Sequence, residues 1–231
     1  VPAGDAPDVT ILVPALNEQE TIAELVGRLL ALPVRAQIIV IDDGSTDRTS
    51  DILRDIGGIE VITHAKSQGK GAAIRVGLAR ATGRAVVIQD ADLEYIPEEL
   101  PALVGPILRG EANVVYGTRF SRGLHPDMML PNKVVNLLLV WAVRLLYGRR
   151  ITDEATCYKA FRRDLLQRMN LVCRRFEFCP EVTAKAIRLG ERIVEVPISY
   201  SPRGHAAGKK IRWTDAPAAF WTLLRHRFGR F

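Results

Sequence analysis

Hydrophobic positions alternate between two rhythms along the first half of the chain. Short β-branched runs occur at residues 9–13, 37–41, 59–63, 85–88 and 113–116. Each has the length and composition of a buried strand. Between them lie stretches with helical spacing. One opens at Asn17, with Glu20 three residues on as the partner in a capping box. Others run from Asp47 to about Ile56, over residues 70–80, and from Pro97 onward. Strands alternating with helices require crossover connections, so the pattern predicts an α/β fold with a largely parallel central sheet flanked by helices on both faces. The second half is less regular. It predicts helices over 133–146 and 180–189, a strand over 192–200, a basic loop over 202–210 and a final amphipathic segment. These later elements read as the completion of one domain spanning residues 1–231.

The chain has 231 residues, of which 48% are hydrophobic, enough for a substantial core. Its net charge of +6 favours an anionic partner: phosphates, a membrane surface or nucleic acid. Cys157, Cys173 and Cys179 form no CxxC pair and read as reduced core thiols in a cytoplasmic setting. Residues 1–8 lack the layout of a signal peptide. The most apolar run, 134–143, is interrupted by Asn136 and followed by Arg144, well short of the ~20 residues a membrane span needs. A soluble or peripheral protein is expected.

Candidate chemistry begins after the fourth strand, at Asp90-Ala91-Asp92-Leu93-Glu94. If this segment stays extended, Asp90, Asp92 and Glu94 project to one side. Three carboxylates in one small site repel one another unless a cation lies between them, and hard oxygen ligands suit Mg²⁺ or Mn²⁺. The position is apt, because open α/β sheets bind ligands beyond the carboxyl ends of their strands. Other strand ends carry Pro14-Ala15-Leu16-Asn17-Glu18 and Asp42-Asp43-Gly44-Ser45. Glu18 and Asp43 there could accept base N–H groups or ribose hydroxyls, or act only as helix-start and turn carboxylates. Gly69-Lys70-Gly71 opens a helix whose amides and lysine could meet a phosphate, or is simply a helix-start loop. No GxGxxG follows the first strand and no GxxxxGK[ST] occurs, so dinucleotide-binding and P-loop readings lack their main support.

Pro14-Ala15-Leu16-Asn17-Glu18, Asp42-Asp43-Gly44-Ser45-Thr46-Asp47, Gly69-Lys70-Gly71-Ala72-Ala73, Asp90-Ala91-Asp92 and Gly117-Thr118-Arg119 occur in an order that resembles family 2 glycosyltransferases. The likeness is greatest to the dolichyl-phosphate or polyprenyl-phosphate hexose (mannose or glucose) synthases. It continues through Thr152–Lys159 and Glu195–Tyr200, so it covers nearly the whole chain. The resemblance implies a GT-A nucleotide-diphospho-sugar transferase fold and a metal-dependent, inverting transfer. The donor would be of the GDP-mannose or UDP-glucose type, the acceptor a polyprenyl or dolichyl phosphate at a membrane surface. Residues 1–118 would form the nucleotide-sugar half, 119–210 the acceptor half, and 211–231 an amphipathic C-terminal segment.

By position in the resemblance, Pro14, Leu16, Glu18 and Asp43 would contact the nucleoside, with Lys70, Asp90, Ala91 and Asp92 completing the donor site. Asp92, flanked by Asp90 and Glu94, would ligate the cation, Mg²⁺ or Mn²⁺. Arg119, Lys133, Arg203 and Lys209 would neutralise donor or acceptor phosphates. Relatives often carry an acidic residue where this chain has Ala207, just before Gly208. Asp92, Asp153 and Arg119 are the candidate catalytic residues. A phosphate acceptor is already largely dianionic at neutral pH and needs no base. A glycan or glycolipid hydroxyl would need one, and Asp153 is placed for it, unless it is a turn or N-cap carboxylate.

The late basic residues, among them Arg122, Arg144, Arg149, Arg150 and Lys210, favour the phosphate acceptor. Residues 132–147 (Val134, Leu137, Leu138, Trp141, Leu145) and the tail (Trp213, Phe220, Trp221, Leu224, Phe228, with Arg225, Arg227 and Arg230) match interfacial helices, or helices that only pack on the domain. Two readings from other classes, a nucleic-acid-binding module and a non-catalytic nucleotide-sugar binder, rank below the enzyme. An acidic segment would repel nucleic-acid phosphates unless a metal lay between, so no nucleic-acid partner is expected.

Overall fold

The computed structural model of the chain describes residues 6–120, 129–202 and 216–229. Within them one sheet contains β1 (Val9–Ala15), β2 (Ala36–Asp42), β3 (Glu60–Thr63), β4 (Ala85–Ile88), β5 (Val114–Thr118), β6 (Lys159–Arg162) and β7 (Ile193–Pro197), in the order β3-β2-β1-β4-β6-β5-β7. Neighbours are parallel except at β6, which runs antiparallel to both β4 and β5. Strands β1–β5 and β7 therefore all end at one edge, and β6 begins there. That single reversal brings residues 152–158 to the same edge as the loops after the other strands.

The strands β1, β2, β4 and β5 are buried almost throughout, as expected of parallel strands covered on both faces. Around them pack α1 (Ile22–Leu30), α2 (Thr49–Arg54), α3 (Lys70–Arg80) and α4 (Leu100–Leu108), the last preceded by a 3₁₀ turn at Pro97–Glu99. α1 buries Ile22, Leu25, Val26 and Leu29, the i, i+3, i+4, i+7 stripe of a helix on a core. After β5 come α5 (Leu130–Tyr147), α6 (Arg163–Arg168), α7 (Phe178–Arg188) and α8 (Ala216–Phe228). α5, α7 and α8 share a second small core of Leu139, Val143, Ala184, Ile187 and Leu223.

Three expectations are corrected. α1 starts at Ile22, not Asn17, and no side chain caps it. Asn17 instead has a φ of 52°, a conformation asparagine tolerates. Its N–H donates to Ser45 Oγ (2.9 Å) and its Oδ1 accepts the Thr46 N–H (2.8 Å). A cross-loop tie has displaced the local cap. Second, β6 and α6 are absent from the hydrophobic pattern, because β6 begins with Lys159, which is fully buried. Its Nζ lies 3.5 Å from the Tyr116 ring centroid and donates to the Glu154 carbonyl (2.9 Å). Third, α5 is 18 residues long and, by length and composition alone, apolar enough to cross a membrane. Its buried face, Asn136, Leu139 and Val143, is nonetheless packed within the fold.

Candidate active site

The strand ends form a crevice, one side of which is built from the loops after β1, β2 and β4 and the start of α3. Asp42 shapes the β2 loop, accepting the Ser45 N–H (2.9 Å) and the Ser50 hydroxyl. Asp43 accepts from His64 Nδ1 (2.7 Å), the Ser67 hydroxyl (2.7 Å) and the backbone N–H groups of Gln68 (2.9 Å) and Gly69 (2.8 Å). Burial works to raise its pKa, but these hydrogen bonds outweigh it and hold the carboxylate below its ordinary range. A carboxylate has about four acceptor positions, and here all four serve the protein. Asp43 thus fixes the 67–69 loop. Gly44 (φ 78°) permits this packing, since a Cβ there would strike the Lys66–Ser67 backbone.

At Gly69-Lys70-Gly71 the backbone of the helix start is held by protein contacts. The Gly71 and Ala72 amides donate to the carbonyls of Arg175 and Arg174 (both 3.0 Å), leaving Lys70 itself as the polar group on offer. Lys70 Nζ pairs with Asp90 and lies 3.0 Å from Cys157 Sγ. Burial opposes its charge, yet Asp90 holds its pKa well above the usual lysine range. Pro14 and Leu16 sit half-buried at the end of β1, and Glu18 is buried, its Oε2 near the Thr21 hydroxyl (3.2 Å). The Ala91 carbonyl accepts the Thr21 hydroxyl (2.8 Å), tying the β4 loop to the start of α1.

The acidic segment does not stay extended. The chain turns after β4, and Leu93 has a φ of 57°. Among the described residues no three His, Cys, Asp or Glu side chains are grouped to hold a metal ion. The expected three-carboxylate cage is therefore not formed, because the turn breaks the alternation on which it depended. Asp92 Oδ1 accepts the Glu94 N–H (3.1 Å), and buried Glu94 accepts the Tyr200 hydroxyl at Oε2 (2.8 Å). This donor set suits an ion carried by one or two carboxylates and completed by water and substrate phosphates.

Across the crevice, Arg119 follows β5 and clamps Asp153 with Nε and Nη2 (both 2.7 Å), while its own N–H adds a third bond (3.1 Å). Asp153 is fully buried. Burial opposes the Arg119 charge, but Asp153 beside it drives the pKa well up. The Asp153 loop is held from two directions. Glu195 on β7 accepts the Thr152 N–H (2.8 Å) and Asp153 N–H (3.1 Å), and Asn136 on α5 accepts the Glu154 (3.1 Å) and Ala155 (2.9 Å) N–H groups. Lys133 lies half-buried one turn before Asn136. Arg203 and Lys209, with Arg122, Lys210, Trp213 and Arg230, lie outside the described residues.

Sequence reasoning missed Glu195, Asn136, Tyr200 and His64, all of which hold site residues rather than advertise chemistry. It also missed Glu154, fully buried with no hydrogen-bond partner for either carboxyl oxygen among the described residues, whose pKa burial pushes up to about 8. Glu154, Lys70, Val135, Leu139, Cys157 and Phe178 are among the residues lining a cavity of about 150 Å³ between the crevice and the α5–α8 layer.

The family model for glycosyl transferase family 2 matches residues 10–169. The chain belongs to family 2 of the glycosyltransferases. It is 32% identical over 203 residues to the low-salt glycan biosynthesis hexosyltransferase Agl6 of Haloferax volcanii, covering 86% of this chain and 49% of that protein. It is 31% identical over 211 residues to the undecaprenyl-phosphate 4-deoxy-4-formamido-L-arabinose transferase of Pseudomonas fluorescens, covering 87% and 59%. The chain thus spans about half the length of these curated relatives. Among solved structures it resembles glucosyl-3-phosphoglycerate synthase from Mycobacterium tuberculosis in complex with Mn²⁺, UDP-glucose and phosphoglyceric acid. The TM-score is 0.74 at 25% identity, over 96% of this chain and 80% of that one. The sheet and its flanking helices are thereby a GT-A fold, and this family 2 glycosyltransferase is an enzyme.

Proposed function

We propose that this glycosyltransferase moves a hexose, with inversion, from a nucleoside diphosphate sugar to a polyprenyl phosphate at a membrane surface. The observation that carries the choice of acceptor is the state of Asp153. Both its oxygens accept from the Arg119 fork, which supports a role in orienting Arg119 over one as a general base. An acceptor that arrives deprotonated fits such a site, and a phosphate monoester is largely dianionic at neutral pH. Arg119 and Lys133 supply positive charge on the acceptor side, and orientation does the rest. The cavity behind Lys70, walled by Val135, Leu139 and Phe178, offers apolar contact to the first isoprene units. Names of relatives point the same way, the Pseudomonas protein being an undecaprenyl-phosphate transferase.

On the donor side, Asp92, with Asp90 or Glu94 beside it, would hold Mg²⁺ or Mn²⁺ against the diphosphate, neutralising charge that develops as the sugar–phosphate bond breaks. Mn²⁺ accompanies UDP-glucose in the mycobacterial neighbour. Pro14, Leu16 and Glu18 flank the nucleoside, and Lys70 holds Asp90 in place. α5 and α8 lie at the membrane surface with their exposed aromatic and aliphatic side chains inward to lipid.

The test is a panel of UDP- and GDP-sugars offered with a short polyprenyl phosphate and, in parallel, the matching polyprenol. Glycolipid should form from the phosphate alone, should cease with chelator, and should fall at least ~100-fold in Asp92→Ala. Equal turnover of the polyprenol would refute the acceptor assignment. Chelator-insensitive transfer would refute the metal.

A further inference from the structure

We infer that Tyr200 is a positioning residue for the transfer, holding Glu94 of the acidic segment at a set distance from Arg119 across the crevice. Three contacts carry this. The Tyr200 hydroxyl donates to Glu94 Oε2 (2.8 Å). Its ring lies under the Arg119 guanidinium, 5.0 Å from Cζ to the ring centroid. The same ring packs on Tyr95 (5.4 Å between centroids), which is itself stacked on Tyr158 (4.9 Å). A buried tyrosine needs one acceptor for its hydroxyl, and any carbonyl would do. Here the acceptor is a carboxylate from the donor side, and the ring face is given to the cation of the acceptor side. One rigid side chain therefore spans the two halves of the site.

The chemistry follows from the geometry. With Oε2 engaged by the Tyr200 hydroxyl, the Glu94 carboxylate is held in one orientation. A carboxylate so held serves a bound cation better than a freely rotating one. A second tie joins the same segments, because the Ser201 N–H donates to the Glu94 carbonyl (2.9 Å). That backbone bond is untouched by Tyr200→Phe, which removes only the hydroxyl. The fold and the Arg119 stacking are retained while the carboxylate is released.

This inference rests on the metal-bearing role proposed above for the acidic segment, and the experiment separates the two. Mn²⁺ is titrated calorimetrically into the full chain with UDP or GDP present, for wild type, Tyr200→Phe, Glu94→Gln and the double variant. The same four proteins are assayed for donor KM and kcat. Tyr200→Phe should weaken Mn²⁺ about ten-fold and raise donor KM more than it lowers kcat. Its melting temperature should move by no more than about 4 °C. In the Glu94→Gln background the Tyr200→Phe change should add less than about two-fold, because both act through one carboxylate. Unchanged Mn²⁺ affinity in Tyr200→Phe, or losses that multiply in the double variant, would overturn the inference. A wild type that transfers sugar without taking up Mn²⁺ overturns the metal assignment alone. The cycle in donor KM then decides Tyr200, and coupling below two-fold there overturns it.

Discussion

The crevice and the α5–α8 layer treat exposed and buried groups in opposite ways. In the crevice charged side chains go deep and each is tied down: Arg119 is 8% exposed and Asp153 not at all. In the layer, large apolar side chains stay outside, with Trp141 64%, Leu145 70%, Trp221 64% and Phe228 78% exposed. The same two helices bury Leu139, Val143 and Leu223 on their inner faces, so the exposure is not a failure to pack. A buried ion pair is costly unless complete, so the crevice is held by mutual dependence. Exposed apolar side chains are tolerated by the fold, and where they cluster they mark interaction surfaces.

Breaking the crevice should therefore have the largest effect on the fold. Arg119→Ala leaves the fully buried Asp153 without its cation and should cost about 3–5 kcal/mol in urea unfolding, with transfer abolished. A loss below about 1 kcal/mol would show that the pair is not what holds this edge together. Asn136→Ala comes next. It strands the Glu154 and Ala155 N–H groups and unfastens α5 from the Asp153 loop, for an expected loss of about 2 kcal/mol. Because α5 belongs to the outer layer and the loop to the crevice, this substitution should also reduce transfer. Unchanged kinetics in a destabilised protein would mean the two regions are mechanically separate.

Glu154 sharpens the comparison, since it is buried like the crevice residues yet among the described residues neither oxygen has a hydrogen-bond partner. Burial pushes its pKa up to about 8 in the folded protein, from an ordinary glutamate value of 4.5. Between those values the folded protein holds a proton that the unfolded chain has released. Stability attributable to this group is thus greatest in acid and falls as pH rises through that window, by at most about 1.4 kcal/mol per pH unit. Glu154→Gln should flatten the pH–stability profile between about pH 5 and 8. Parallel profiles for the two proteins would show that the site is wetter than its surroundings imply.

The parallel core was legible because β1, β2, β4 and β5 are simple apolar runs, and because α3 carries its own start at Gly69-Lys70. β6 was not, since the pattern contains a lysine at its first position and no local rule marks a lysine that will lie over a tyrosine ring. Similarly, motif order located Arg119 and Asp153 but not their pairing, which depends on β6 reversing direction and delivering residue 153 to the end of β5. The alternation at Asp90, Asp92 and Glu94 misled for a local reason: a left-handed residue at Leu93 turns the chain where an extended one was assumed. Helpers such as Glu195, Asn136 and Tyr200 act only through distance in space, so their spacing in sequence carried no signal.

The smallest effect on stability is expected where exposure is greatest. Trp141→Ser, Leu145→Ser and Trp221→Ser remove apolar groups that contribute little to either core, so each should lie within about 0.5 kcal/mol of wild type in urea. Combined, they should weaken co-sedimentation with vesicles rich in anionic lipid and leave what binding remains to Arg144, Arg225 and Arg227. Charge and apolar area separate in the salt dependence. If raising ionic strength releases wild type and the triple variant equally, the arginines alone bind the vesicles and the outer faces of α5 and α8 belong to some other partner. If wild type stays bound at a salt concentration that frees the variant, the aromatic side chains enter the lipid. The outer faces of α5 and α8 would then be membrane-binding surfaces.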